Sequence, residues 1–183
     1  QRILDEVEMQ QQMSHPAIVD VREVFEDAQY LYVVLELMQG GDLLDRLLDR
    51  IEAQRPYSER EVRTIFAQLL SALKYLHSSR GITHRDIKPE NILLSSPEDD
   101  TTIKLADFGA ACWSRQRRSA RMRSYVGSPQ YMAPEVIFCA LRPKENPDGY
   151  TSAVDLWSVG VLLYVMLCRR LPFDADAAER AAT

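Results

Sequence analysis

The clearest pattern along the chain is a stripe of apolar positions at Val62, Ile65, Phe66, Leu69, Leu70, Leu73 and Leu76. Steps of three and four residues place them on one face of a helix, and that face is core. Ser58 and Glu61, spaced S-x-x-E just before the stripe, form a capping box, and Gly81 offers a left-handed exit after His77. Residues 1–13 are rich in helix formers but carry only a partial stripe, Ile3, Val7 and Met13, and that helix should end near Ser14-His15-Pro16. Val19-Asp20-Val21 and Val24-Phe25 are short apolar patches, and Asp27-Ala28 reads as a turn. The run Tyr30 to Leu37 is β-branched and aromatic and predicts a buried strand. Gly40-Gly41 ends it, and Asp42 starts a helix over 43–48.

Further on, Ile92-Leu93-Leu94 and Thr102 to Leu105 predict two short strands joined by the polar stretch 95–100. From Ala110 the character changes: Arg115, Arg117, Arg118, Arg121 and Arg123 crowd nine residues among serines, a segment that cannot be buried. A proline-rich polar insertion, 141–149, precedes Thr151, which can cap a helix from Ser152 to about Cys168. That helix is apolar almost all round, which predicts burial on all sides, with Asp155 as a lone acid inside it.

Composition narrows the class. The chain of 183 residues suits one domain, and 46% hydrophobic with 27% charged residues is ordinary for a globular protein. A net charge of −5 argues against nucleic-acid binding as the main business, despite the arginine run. No signal peptide is expected at the start, and the apolar run from Val159 to Cys168 is too short for a bilayer that needs ~20 residues. Three widely spaced cysteines, Cys112, Cys139 and Cys168, suggest neither a disulfide framework nor zinc, so the expected location is intracellular, in cytoplasm or nucleus.

Candidate chemistry centres on His84-Arg85-Asp86-Ile87-Lys88-Pro89-Glu90-Asn91. Asp107-Phe108-Gly109 follows sixteen residues after Asn91, and Ala133-Pro134-Glu135 lies twenty-four beyond Gly109. Together with Gly127-Ser128-Pro129-Gln130-Tyr131, these stretches resemble the H-R-D-L-x-x-x-N, D-F-G and G-[ST]-P-x-Y-x-A-P-E motifs of eukaryotic protein kinases, with Ile87 replacing the leucine. Lys88 after the aspartate resembles the serine/threonine branch. The wording around 127–136 and 155–168 looks like the calcium/calmodulin-dependent and checkpoint kinase group.

The resemblance implies an α+β, two-lobe fold, with residues 1–37 closing a small lobe and 38–183 opening a helical one. It implies ATP and Mg²⁺ as cofactors. Asp86 would accept the substrate hydroxyl proton, Lys88 would offset phosphoryl charge, and Ser128 would hydrogen-bond both. Asn91 and Asp107 would hold magnesium. Around adenine and ribose the matching positions are Leu35, the backbone of Glu36 and Met38, Asp42 and Leu93. Asp42 has the simpler role of N-cap open to it as well, and His84 is expected to pack on Phe108 rather than act as a base. Glu6 matches the glutamate that pairs with the ATP-anchoring lysine, with Glu8 as competitor, and Gln10 departs from the apolar residue usual one turn later. Glu90 and Asp42 match acids that hold arginines upstream of the target hydroxyl, which implies basic protein substrates. Ser124, with Ser119 and Ser114 as rivals, matches an activating phosphosite, modified by another kinase or in trans. An unpaired Arg85, joined by Arg2, would grip the phosphate.

Two family features are missing. The four lysines are Lys74, Lys88, Lys104 and Lys144, and the first glycine is Gly40, so neither the anchoring lysine nor a Gly-rich loop precedes Glu6. The expectation is a piece of a longer kinase, inactive alone, with a pseudokinase or a truncated, non-catalytic binding scaffold as the alternatives.

Overall fold

The computed structural model describes the backbone of residues 2–113, 122–142 and 149–173, with side chains from residue 6 onward. Arg115, Arg117, Arg118, Arg121, Ser114, Ser119, most of the 141–149 insertion and the side chain of Arg2 lie outside the described residues. In chain order the elements are helix α1 (Arg2–Gln11), strands β1 (Val21–Glu26) and β2 (Leu31–Leu35), and helices α2 (Leu43–Glu52) and α3 (Glu59–Lys74). After these come β3 (Ile82–Thr83), β4 (Ile92–Ser96), β5 (Asp99–Leu105), β6 (Cys112–Trp113), α4 (Pro134–Leu141) and α5 (Ala153–Cys168). The sheets are antiparallel pairs, β1 with β2, β3 with β6 and β4 with β5, so the fold is mixed α+β as expected.

Helix α3 is the centre of the core. Its N-terminus carries the capping box: Ser58 Oγ accepts from the Glu61 N–H, and Glu61 Oε2 accepts from the Ser58 N–H at 2.7 Å. Ile65, Leu69, Ala72 and Leu73 are sealed against Leu43, Ile92, Leu94, Ile103 and Leu105. Leu70 is the exception in the stripe, half exposed beside Val159, Leu163 and Leu167 of α5. The helix widens into one π-helical turn at Tyr75–Arg80 and leaves through Gly81 in the left-handed region, at φ 67°.

Polar side chains settle the hairpin of β4 and β5. The stretch 95–100 is not a loop; only Pro97 and Glu98 form the turn, and Ser96 pairs with Asp99. Asp99 Oδ1 accepts from the N–H groups of Thr101 and Thr102, at 2.8 and 3.1 Å, which lets a run of polar residues hold strand geometry. Gln68 of α3 clamps the β5 edge, donating to Thr101 O at 2.7 Å and accepting from Ile103 N at 3.2 Å. Arg50 of α2 binds Asp100 and Glu61, at 2.7 and 2.9 Å, and its guanidinium stacks over Tyr57 at 4.1 Å. Arg46 also pairs with Asp100.

Two expectations of burial are corrected. Strand β2 forms where predicted, but Tyr32, Val34 and Leu35 are exposed, because a two-stranded ribbon covers only part of each strand. Helix α5 buries one broad stripe, Val154, Asp155, Ser158, Val159, Val161, Leu162 and Met166, while Leu156, Trp157, Leu163 and Leu167 remain open among the described residues.

Burial pushes the Glu61 carboxyl up, yet hydrogen bonds from Ser58 and Arg50 outweigh it and hold its pKa at about 2, against an ordinary 4.5. Because the folded value lies below the unfolded one, its contribution to stability is complete above about pH 4.5 and is lost as pH falls toward 2. Urea midpoints measured across that window should drop steeply for the native chain, and Glu61→Gln should flatten this part of the curve.

Candidate active site

The loop from Thr83 to Asn91 carries the candidate reactive residues, and a buried carboxylate on α5 shapes it. Asp155 has no exposed surface. Its Oδ2 accepts from the His84 N–H at 2.9 Å and its Oδ1 from the Arg85 N–H at 2.7 Å. His77, from the π-helical turn, places Nε2 2.7 Å from Oδ2. These partners offset the cost of burying an acid. They also hold Arg85 at φ 71°, a left-handed conformation that a side chain with Cβ adopts only under constraint.

His84 is a structural residue, as expected. It is fully buried, donates from Nε2 to Ala106 O at 3.1 Å, and accepts the Asp86 N–H at Nδ1 at 3.3 Å. Both nitrogens are used, burial depresses its pKa, and its ring meets Phe108 edge-on at 5.0 Å.

Asp86 lies in a ring of donors. Lys88 Nζ is 3.2 Å from its Oδ2 and donates to Ser128 Oγ at 3.0 Å, while the Ser128 N–H donates to Asp86 Oδ1 at 2.9 Å. Asn91 Nδ2 donates to the Asp86 backbone O at 2.8 Å and to Oδ2 at 3.2 Å. Burial raises the Asp86 pKa, but the bonds from Ser128 and Lys88 win and hold it below the ordinary aspartate value. Gly127 allows this approach: a Cβ there would stand 2.4 Å from Arg85 O, at φ 107°.

Asn91 and Asp107 are brought together by the hairpin register, Ile92 opposite Leu105, and by Ala106 N donating to Asn91 O at 2.9 Å. With its NH₂ committed to Asp86, Asn91 keeps its amide oxygen as an acceptor, and Asp107 is exposed at φ 59°. Two hard oxygen donors suit Mg²⁺, which takes few protein ligands and completes its shell with phosphates and water. Among the described residues no three His, Cys, Asp or Glu side chains converge as a denser metal site.

The remaining candidates fall around this centre. Glu6 lies beside the Asp107-Phe108-Gly109 turn, its carboxylate oxygens 3.5 and 3.8 Å from where a Gly109 Cβ would be, whereas Glu8 is exposed beside Val24 and Phe25. The position of Gln10 is buried despite its polarity, with the amide reaching Val19 O at 3.4 Å. The Glu36 N–H is taken by Asp20 O, and its carboxylate by Lys104 at 2.6 Å, so its carbonyl is the group left toward a ligand. Gly40, on the linker after Met38, packs so closely on Leu94 that a Cβ would sit 2.6 Å from the Leu94 Cβ. Asp42 caps α2, accepting the Asp45 N–H at 2.9 Å, and pairs by its backbone with Leu93. Glu90 is exposed at the rim of a leucine-lined cavity of about 320 Å³, with Arg169 and Arg170 on the same lining.

One expectation fails here. Arg85 is not unpaired: Nε donates to Ala110 O at 2.6 Å, and the terminal nitrogens reach Ala111 O and the Tyr150 hydroxyl. Sequence reasoning also passed over His77 and Tyr150. A signal for His77 existed, since a buried carboxylate facing two amides still has lone pairs to fill.

The protein kinase domain family matches residues 1–183, and the chain belongs to that family. It is 38% identical over 181 residues to the ovarian-specific serine/threonine-protein kinase Lok of Drosophila melanogaster, covering 99% of this chain and 36% of that protein. It is 38% identical over 169 residues to calcium/calmodulin-dependent protein kinase type 1 of Macrobrachium nipponense, covering 92% and 44%. Against myosin light chain kinase A of Dictyostelium discoideum the figure is 37% over 171 residues, covering 93% and 53%. The chain thus spans about a third to a half of these relatives. Among the described residues no helix is long and apolar enough to cross a membrane.

Asp155 is the residue to test. Asp155→Leu should destabilise the chain by about 1–3 kcal/mol for each backbone N–H left unsatisfied. Asp155→Asn, which keeps one acceptor oxygen, should cost less; equal urea midpoints for the native chain and Asp155→Leu would contradict this assignment.

Proposed function

We propose that the polypeptide containing this domain is a serine/threonine protein kinase that moves the γ-phosphoryl group of ATP to protein hydroxyls. The observation that carries the reading is the Asp86 carboxylate, ionised by its donors and facing Lys88 and Ser128 in a loop that also presents Asn91 and Asp107. A carboxylate with a depressed pKa orients the hydroxyl and takes its proton late, which suits a transition state that asks mainly for alignment and charge neutralisation. Lys88, which donates to Ser128 Oγ beside Asp86, would offset the charge of the moving phosphoryl group. Asn91 and Asp107 would hold Mg²⁺, which neutralises the ATP phosphates. Leu35 and Leu93 would flank adenine, the Glu36 carbonyl and Met38 backbone would hydrogen-bond it, and Asp42 would meet the ribose. Residues 1–37 then belong to a small lobe and 38–183 to a large one.

In sequence all four lysines and the first glycine, Gly40, follow Glu6, whereas the family's phosphate-anchoring lysine and glycine loop come before that glutamate, and positioning the phosphates is most of this catalysis. We therefore expect the product of the complete coding sequence to phosphorylate a basic peptide with magnesium-ATP, and the 183 residues alone not to. Asp86→Ala should lower turnover on the order of 10²–10⁴-fold. A complete product with no turnover would favour the second reading, a pseudokinase or non-catalytic scaffold. Regulation is assigned to Ser124, which is exposed. A phosphate there would compete for Arg85 with neutral carbonyls, and charge-assisted bonds are the stronger, so phosphatase treatment should lower activity in the same assay.

Substrate choice follows from Glu90 and Asp42, both able to meet an arginine upstream of the target. A charge-assisted contact is worth about 1.5–3 kcal/mol, a factor of ten or more. A peptide-array profile should show arginine or lysine preferred upstream, weakened by Glu90→Ala; a profile blind to basic residues would remove the basophilic assignment.

A further inference from the structure

Tyr150 stands outside every motif, yet it touches both halves of the site. It is 2% exposed, packed with Met122, Met132, Ala133, Val136, Cys139 and Val154. Its backbone forms a two-way bridge with Met122: Met122 N donates to Tyr150 O at 3.2 Å, and Tyr150 N to Met122 O at 2.9 Å. Its hydroxyl donates to Ser124 O at 2.6 Å and accepts from Arg85 Nη1 at 3.4 Å. A single buried phenol thus sits between the guanidinium next to Asp86 and the backbone of the segment that ends in Ser128.

We infer that Tyr150 is a positioning residue whose hydroxyl tethers the 122–128 segment to Arg85, so that Ser128 meets Asp86 and Lys88 before any phosphate is added. The inference rests on reading this segment as the substrate-receiving one, and the contacts themselves do not depend on that reading. Each end of the tether is locked independently. Arg85 is fixed by Ala110 O and by Asp155 at its N–H. At the far end of the segment, Ser128 is fixed by Asp86 and Lys88. Between Met122 and that end, Arg123, Ser124 and Tyr125 are exposed, and apolar packing alone would not hold such a stretch. The Tyr150 hydroxyl supplies an anchor in the middle of it, from a ring that the apolar cluster already holds in place.

The test separates the tether from the chemistry. Tyr150→Phe keeps the ring and removes only the hydroxyl, so the apolar cluster stays filled. In phosphatase-treated protein, amide exchange at 122–126 should speed up about five- to tenfold, while α3 and α5 keep their protection. In the complete product the same change should raise KM for the peptide and lower kcat, leaving KM for ATP as it was, a split that general destabilisation would not give. Should Tyr150→Phe fail to fold, Tyr150→3-fluorotyrosine is nearly isosteric, and its more acidic phenol should slow exchange of the same amides. Unchanged exchange at 122–126 overturns the inference. Faster exchange in a product without kinase activity keeps the tether and removes the kinase reading instead.

Discussion

Everything at the site hangs on the buried carboxylate of Asp155. Its two oxygens take the consecutive N–H groups of His84 and Arg85, and His77 closes the remaining side. An acid inside an apolar helix would be costly without such partners, and two adjacent amides would be equally costly without an acceptor. Each therefore fixes the other. The loop leaves this clamp with Arg85 left-handed, and that turn sends His84 inward onto Phe108 and Asp86 outward toward Ser128.

From that clamp the electrostatics follow. Asp86 is surrounded by Lys88, Asn91 and the Ser128 amide, so it remains a carboxylate despite partial burial. Arg85 is spent on the carbonyls after Gly109 and on Tyr150, which couples the Asp107 turn to the loop. Two non-glycine residues with positive φ, Arg85 and Asp107, sit on either side of Asn91. Strain of this kind persists only where surrounding contacts over-determine it, and here the β4–β5 register, Asp155 and Ala106 do so.

Much of this was legible from local pattern. The capping box at Ser58, the α3 stripe, the exit at Gly81, the N-cap at Asp42 and the acid at 155 all depend on neighbours a few residues away or on a motif of fixed spacing. What stayed hidden depends on partners far along the chain. The clamp by Gln68 has no local sequence signature and exists only once β5 lies beside α3. The polar run 95–100 reads as a loop until Asp99 turns back onto Thr101 and Thr102. Arg85 reads as unpaired because its acceptors, two backbone carbonyls and the hydroxyl of Tyr150 far along the chain, carry no local sequence signature. Helix α5 reads as buried all round because composition gives hydrophobicity and not the number of faces that are covered.

In the proposed kinase, Asn91 and Asp107 would present oxygens to a metal–nucleotide complex beside Asp86. Paramagnetic Mn²⁺ added with ATP, followed by NMR of the labelled chain, tests it most directly. The account predicts the strongest broadening at Asn91, Asp107 and their immediate neighbours, and its loss in Asp107→Ala. Broadening centred elsewhere, or undiminished in that variant, would contradict it.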